Sequence, residues 1–294
     1  MKETVEIRIP EEWAAKNLGS LGERIPLELP SGVHLQTSVA NSLITRKIVI
    51  DVNDPLFPDI DRRIRQEKLR GPIGMSARFR RVYTKNELLS ADLFRLIITS
   101  VFEPAGEECG TVYDESQACP HCGWGWRQVS DLRLAVNAIP GRADIAKTIA
   151  EEIVVSERLV DAFQGAGITG VEFRPVVFPS VTSPKWKPWF QVCITSSPLA
   201  VSPQTHFGID PFDDDEKGEY RCSTGHVAGL TVLSEVQVSK QGWDGSDFIC
   251  TREMTGVRKG LLRPSPCLLI RPDVLRVLDG INARGFKVEV AHFV

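Results

Sequence analysis

"IVVSERLVDAFQGAGITGVEFRPV", residues 153–176, decides how the chain is read. Its first three residues, with Glu152 before them, form a short strand. Ser156 is a helix-capping residue, because its side-chain oxygen can accept from the free N–H groups of a first turn. Apolar residues at helical spacing follow, and Gly165 or Gly167 ends the helix. "VEFRPVVF" is then a closing strand.

The same order returns at residues 268–291, "LLIRPDVLRVLDGINARGFKVEVA". Pro272 stands in the first turn, where its missing N–H costs nothing. Other landmarks recur. "LFRLIIT" (93–99) resembles "WFQVCIT" (189–195). Cys119 lies 103 positions before Cys222, and "ADI" (143–145) lies 103 before "SDF" (246–248). Landmarks in one order, two at one offset, predict a diverged duplication. The first unit spans about 81–186 and the second about 187–294.

Residues 1–80 form a β-rich N-terminal region. "TVEIRI" (4–9) alternates strictly, as a half-buried strand does. "IPLELPSGVHLQTSV" (25–39) predicts two short strands about a turn, and "LITRKIVIDV" (43–52) a third. A short charged helix runs to Arg70 and "GPIG" breaks it. Its basic run, 62–70, is a solvated helix face. Thr84 and Glu87 form a capping box. "LFRLIITSVF" is a buried strand, and "DLRLAVNAI" (131–139) another. The fold class expected is α+β: two related strand–helix–strand units around a zinc knuckle, with the β-rich region before them.

The chain has 294 residues, 42% hydrophobic and 25% charged, which is ordinary for a globular protein. A net charge of −3 gives no whole-chain footprint for nucleic acid or an anionic membrane. No apolar leader and no run of 18 apolar residues is present, so a cytoplasmic, membrane-free protein is expected. Seven cysteines in that setting read as metal ligands rather than a disulfide framework.

The ligand candidates follow from the repeat. The first unit carries Cys119-x2-Cys122 in "CPHCG", and the second carries Cys222-x3-His226 in "YRCSTGHVAG". Packed together, they give Cys3His, a structural zinc set. Cys109, ten residues before Cys119, is a fifth candidate, so a trio of Cys109, Cys119 and Cys122 completed by Cys222 or His226 is equally open. A deaminase-type catalytic zinc would need His-x-Glu ahead of Pro-Cys-x-x-Cys, and no His-x-Glu occurs. Cys193, Cys250 and Cys267 sit in apolar strands and read as small buried hydrophobes. No phosphate-binding glycine loop and no nucleophile elbow is present. The tryptophans after the knuckle, Trp124 and Trp126, read as packing for a thin core.

"CPHCG", "DLRL", "ADI" and the 152–176 segment together resemble the C-terminal portion of bacterial double-CXXCG-motif immunity-type proteins. "GWDGSDF" (242–248) resembles related immunity families of polymorphic toxin systems. The resemblance covers about residues 81–294. It implies a cytosolic protein that binds a cognate toxin or effector and blocks it, with structural zinc and no catalysis. The chain departs from the pattern at its second motif, where Cys222-x3-His226 replaces CXXCG. The expected partner surface is the acidic stretch with Asp213, Asp214 and Asp215, together with Trp243, Asp244 and Asp247. Two other readings compete. One is a zinc-supported hydrolase or nuclease with Asp144, Asp244 and Asp247 as acids. The other is a nucleic-acid adaptor using the knuckle and the 62–70 segment, with nucleic acid the less expected partner.

Overall fold

The computed structural model describes residues 1–10, 13–14, 16, 45–67, 76–179, 187–215, 217–256 and 259–294. The strands expected within 25–39, the "GPIG" break, and Lys68, Leu69 and Arg70 lie outside these. The described residues are mixed α and β, mostly strand, and fall into two compact units. One is Met1–Lys85 with Gly208–Lys217; the other is Asn86–Phe207 with Gly218–Val294.

The first unit holds an antiparallel sheet, β1 (Lys2–Pro10), β2 (Thr45–Asp51) and β3 (Ser76–Val82), in the order β2-β1-β3. Strand alternation sends Val5, Ile7, Ile9, Ile48 and Ile50 to one face, all buried. Helix α1 (Phe57–Glu67) covers that face with Ile60 and Ile64, four residues apart and both buried. Phe212 joins the same core, its ring 6.2 Å from that of Phe57. Arg62 and Arg65 pair with Asp59 and Asp61 on the helix surface, as a solvated charged face does. Helix α2 (Lys85–Ser90) begins directly after Thr84.

The second unit is built on two five-stranded sheets. Its strands are β4 (Leu93–Ile98), β5 (Val101–Phe102), β6 (Tyr113–Asp114), β7 (Arg127–Gln128), β8 (Ile145–Thr148) and β9 (Ile153–Ser156). After helix α3 (Glu157–Gly165) come β10 (Val171–Pro175), β11 (Trp189–Ile194), β12 (Phe207–Gly208), β13 (Thr231–Val232), β14 (Val236–Val238), β15 (Phe248–Thr255) and β16 (Ser265–Ile270). Helix α4 (Pro272–Gly280) and β17 (Phe286–Phe293) close the chain.

One sheet has the order β10-β11-β9-β8-β5 and the other β14-β17-β4-β16-β15. In the first, β11 lies between the strands that flank α3. In the second, β4 lies between the strands that flank α4. Each strand–helix–strand segment therefore receives its central strand from the other half of the chain. β4 precedes α3 in sequence yet pairs with β16 and β17, while β11 follows α3 and pairs with β9 and β10.

The crossings are made alike. The Ile145 N–H donates to the carbonyl of Arg284, and the Phe248 N–H to that of Thr169. The Asp144 carboxylate accepts from the Arg284 N–H at 3.0 Å, and the Asp247 carboxylate from the Thr169 N–H at 2.9 Å. Next to each acceptor stands a glycine with positive φ, Gly285 (108°) or Gly170 (79°). A Cβ on Gly285 would collide with the Ile145 carbonyl, and one on Gly170 with that of Phe248. The tight approach therefore requires glycine at both places. Both helices end through a left-handed residue, Gly167 after α3 and Asn282 after α4. Ser156 precedes α3 as expected, but its hydroxyl faces the Asp144 carboxylate at 3.3 Å rather than capping the helix.

"DLRLAVNAI" departs from the strand expected of it. Only Arg133 makes a bridge, to Val177, and Val136–Ala138 turns as a 3-10 helix. Leu132 and Leu134 are nonetheless fully buried beside Val154 and Val176. Packing rather than strand pairing explains their apolar pattern.

Candidate metal centre

Two loops of the second unit meet. The first runs between β6 and β7 and carries Cys119 and Cys122; the second leads to β13 and carries Cys222 and His226. Each loop is a tight turn closed on its leading cysteine. The Gly123 N–H donates to the Cys119 carbonyl at 2.7 Å, and the Gly225 N–H to the Cys222 carbonyl at 2.8 Å. The Cys119 N–H reaches the Trp124 carbonyl at 2.8 Å, and the Cys222 N–H the His226 carbonyl at 3.1 Å. Gly123 (φ 74°) and Gly225 (φ 87°) take left-handed conformations that a side chain would resist.

The turns point four donor atoms at one place. The ligand atoms of Cys119, Cys122, Cys222 and His226 all lie within 4.8 Å of one another, so the group could hold a metal ion. Cys119 Sγ stands 3.6 Å from Cys222 Sγ, and Cys122 Sγ stands 3.3 Å from His226 Nδ1. Four donors bound tetrahedrally at about 2.0–2.3 Å from one ion stand about 3.3–3.8 Å apart, so these separations suit a common centre. Each loop supplies two of the four donors.

The thiols sit in unlike surroundings. The Cys119 thiol is lowered to about 5, first by the Thr224 hydroxyl and then by the backbone N–H groups of Cys122 and His121. The Cys122 thiol is pushed up to about 12, chiefly by burial. A cation shared by the group would favour the thiolate form of both. Trp124 stacks on the His226 ring with centroids 4.6 Å apart and fixes its plane. Ala228 completes a small apolar layer with Trp124 and the cysteines. One side stays open: His121, Tyr220 and Arg221 line a cleft of about 340 Å³ that reaches Cys122 and Cys222.

Cys109 lies apart from the four. It closes the 3-10 turn Glu107–Cys109, and burial raises its thiol. Cys267 is buried in a strand, with Cys193 and Cys250 half-buried, and burial pushes Cys250 up to about 11.

Two residues beside these loops carry no signal in the cysteine spacing. Thr224 Oγ1 lies 3.0 Å from both Cys222 Sγ and His226 Nδ1. Arg263 is buried beside the first loop. Its guanidinium lies 4.2 Å from the Tyr113 ring centroid and pairs with Glu107 at 2.7 Å and Glu115 at 3.2 Å. Trp126 donates its indole N–H to the Pro264 carbonyl at 2.7 Å. Arg263 and Pro264 thus tie the first loop to the second half of the chain, and an arginine followed by proline gives no hint of that in sequence.

The residues expected at a partner surface divide between the two units. Asp213 and Asp215 are buried, and Asp214 lies 3.8 Å from Arg65, all within the first unit. Trp243 packs on Phe293 and donates its indole N–H to the Ser246 carbonyl at 3.0 Å. Asp244 accepts from the Ser246 N–H, and the Ser246 hydroxyl first and this N–H second hold its carboxyl below the usual range. Asp144 and Asp247 bind backbone N–H groups at the sheet crossings, and Asp144 also pairs with Arg158 at 2.7 Å. Among the described residues, no helix is long and apolar enough to cross a membrane. No family model and no curated protein matches the chain.

Proposed function

We propose that the chain is a zinc-stabilised binding protein of the immunity type, in which Cys119, Cys122, Cys222 and His226 hold one structural zinc ion. The observation that carries this reading is the convergence of three thiols and an imidazole, two from each loop, on one point. Thiolate with imidazole in a four-donor set is the ligand chemistry that suits zinc. A set of four protein ligands fills the tetrahedron and leaves no position for substrate water, so the ion's role is to hold the loops together. The bond energy of such a site appears as folding energy.

The two sheets are read as a duplication whose halves have exchanged their central strands. The matched strand orders and the paired Asp144 and Asp247 crossings support it. In a duplicated frame, Cys222-x3-His226 is the diverged counterpart of Cys119-x2-Cys122.

A binding role rather than catalysis is supported by the use of the candidate acids. Asp144 and Asp247 are spent on backbone N–H groups, and Asp244 on its own turn. The toxin-blocking role rests on the resemblance of the knuckle and the strand–helix–strand segments. Its test is co-expression with the product of a neighbouring toxin-like gene. The proposal expects growth to be restored and a stable complex to be isolated. Toxicity undiminished by co-expression would remove the immunity reading and leave the zinc assignment standing.

A further inference from the structure

The solvent face of the N-terminal sheet carries a charge pattern that the whole-chain balance conceals. Register places Lys2, Thr4, Glu6 and Arg8 of β1 on the face opposite the isoleucine core. Lys47, Val49 and Asp51 of β2, with Ser76, Arg78, Arg80 and Val82 of β3, are their cross-strand partners on that face. Five cations thus share one small surface with two carboxylates, in a chain whose net charge is −3.

One of those carboxylates is the organising centre. Glu6 is buried, and its oxygens lie 3.0 Å from Arg78, 3.2 Å from Arg80, 3.5 Å from Arg8 and 3.6 Å from Lys47. A single negative charge cannot neutralise four cations. Arg8 stands directly opposite Lys47 in the ladder, a like-charge pairing that destabilises a sheet. The side chains of Arg8, Arg78 and Arg80 remain 57%, 64% and 52% exposed, so each keeps donors free for another anion. Glu6 fixes where the guanidinium groups stand, and their outer edges face solvent.

We propose that this face docks a nucleic-acid duplex through its backbone phosphates. Arginine's planar fork suits phosphate oxygens. Arg78 and Arg80 are two residues apart on one strand, about 6–7 Å, and Arg8 extends the row onto the neighbouring strand. Among the described residues this face carries no aromatic side chain: Phe79 packs with the core on the other side. Single-stranded nucleic acid is gripped by stacking on aromatics, whereas sequence-independent binding of a duplex needs only phosphate contacts. The apolar members of the face are two separate valines, Val49 half-buried opposite Glu6 and Val82 exposed opposite Lys2. They do not make the large aromatic or apolar anchor that a protein partner would need at the centre of the patch.

The experiment is fluorescence anisotropy with the full chain and a labelled 20-base-pair DNA duplex, from about 50 to 200 mM salt. The expected plot of log K against log salt falls with a slope of about −3, from three or four phosphates neutralised. The double variant Arg78→Ala/Arg80→Ala should weaken binding at least tenfold and flatten the slope by about 2. Because it strips partners from Glu6, a gentler variant accompanies it. Arg8→Gln leaves Arg78 and Arg80 in place, and should lower the slope by about 1 with an unchanged melting curve. Arg62→Ala on α1, outside the face, should leave binding unaltered. The proposal falls if no duplex is bound at low salt, or if the sheet variants bind as the parent does. Tighter binding of the single strand, or equal binding of a poly-glutamate peptide, would also overturn it, the latter assigning the face to an acidic protein.

Discussion

The N-terminal sheet and the cysteine loops differ sharply in how much apolar surface they bury. The sheet buries Val5, Ile7, Ile9, Ile48 and Ile50 against Ile60 and Ile64 of α1, each side chain contributing roughly 1.5–3 kcal/mol by leaving water. The loops have almost no such core: two buried cysteines and Ala228, with Trp124 and Cys222 beside them. Loops of 12 residues or so, rich in glycine, lose much backbone freedom on ordering. In the proposed site, four metal bonds would supply what burial does not. The contrast teaches where each region should fail, and it can be broken from either side.

The largest effect should come from the loops. Cys222→Ser removes one ligand from a site whose metal binding, in isolated zinc peptides, is worth about 10–16 kcal/mol of folding free energy. Hydrogen exchange should show residues 115–126 and 218–230 opening while β1, β2 and β3 keep their protection. A chelator should do the same to the parent, since the cleft beside His121 and Tyr220 reaches Cys122 and Cys222. If the sheet melts with the loops, the separation of the two regions is wrong.

Ile7→Ala is the reciprocal cut. It should destabilise the sheet by about 2–5 kcal/mol, measured by urea unfolding, and leave metal content unchanged. Gly285→Ala tests the join between the two halves of the second unit. Strain at positive φ and collision with the Ile145 carbonyl should together cost about 2–4 kcal/mol. An unchanged melting temperature would mean that the crossing is looser than described.

The smallest effect is a pH dependence. Burial opposes ionisation of Glu6, but Arg78, Lys47 and Arg80 outweigh it, so its carboxyl is held below the usual glutamate range. A lowered folded value means that this contribution is present above the unfolded value, about 4.3, and is lost as pH falls through the folded one. Glu6→Gln should therefore reduce stability at neutral pH and narrow its difference from the parent toward pH 3. A constant difference across that range would contradict the pairing.

Much of this was legible in sequence, and the pattern of success is physical. "TVEIRI" alternates because one face is buried and the other solvated, so its strand could be read directly. The four converging side chains also leave a local trace: Cys119-x2-Cys122 and Cys222-x3-His226 each fit one turn, and the glycines beside them report the turn. Cys109-Gly110 shares that look, yet its glycine serves a 3-10 turn. Long-range choices leave no trace of that kind. β4 and β11 are equally apolar, and nothing in either says which sheet it enters. Asp144 and Asp247 read as acids available for chemistry because an aspartate that accepts backbone N–H groups looks the same in sequence. Thr224 is invisible for a similar reason, being one of many threonines in loops.

The most direct test is the metal content of the full chain purified without added zinc, with Cys109, Cys119, Cys122, Cys222 and His226 changed singly to Ala. The account predicts one zinc ion per parent chain, kept in Cys109→Ala and lost in the other four with the ordering of both loops. Zinc retained in Cys222→Ala, or lost from Cys109→Ala, would contradict a site made of two ligands from each loop.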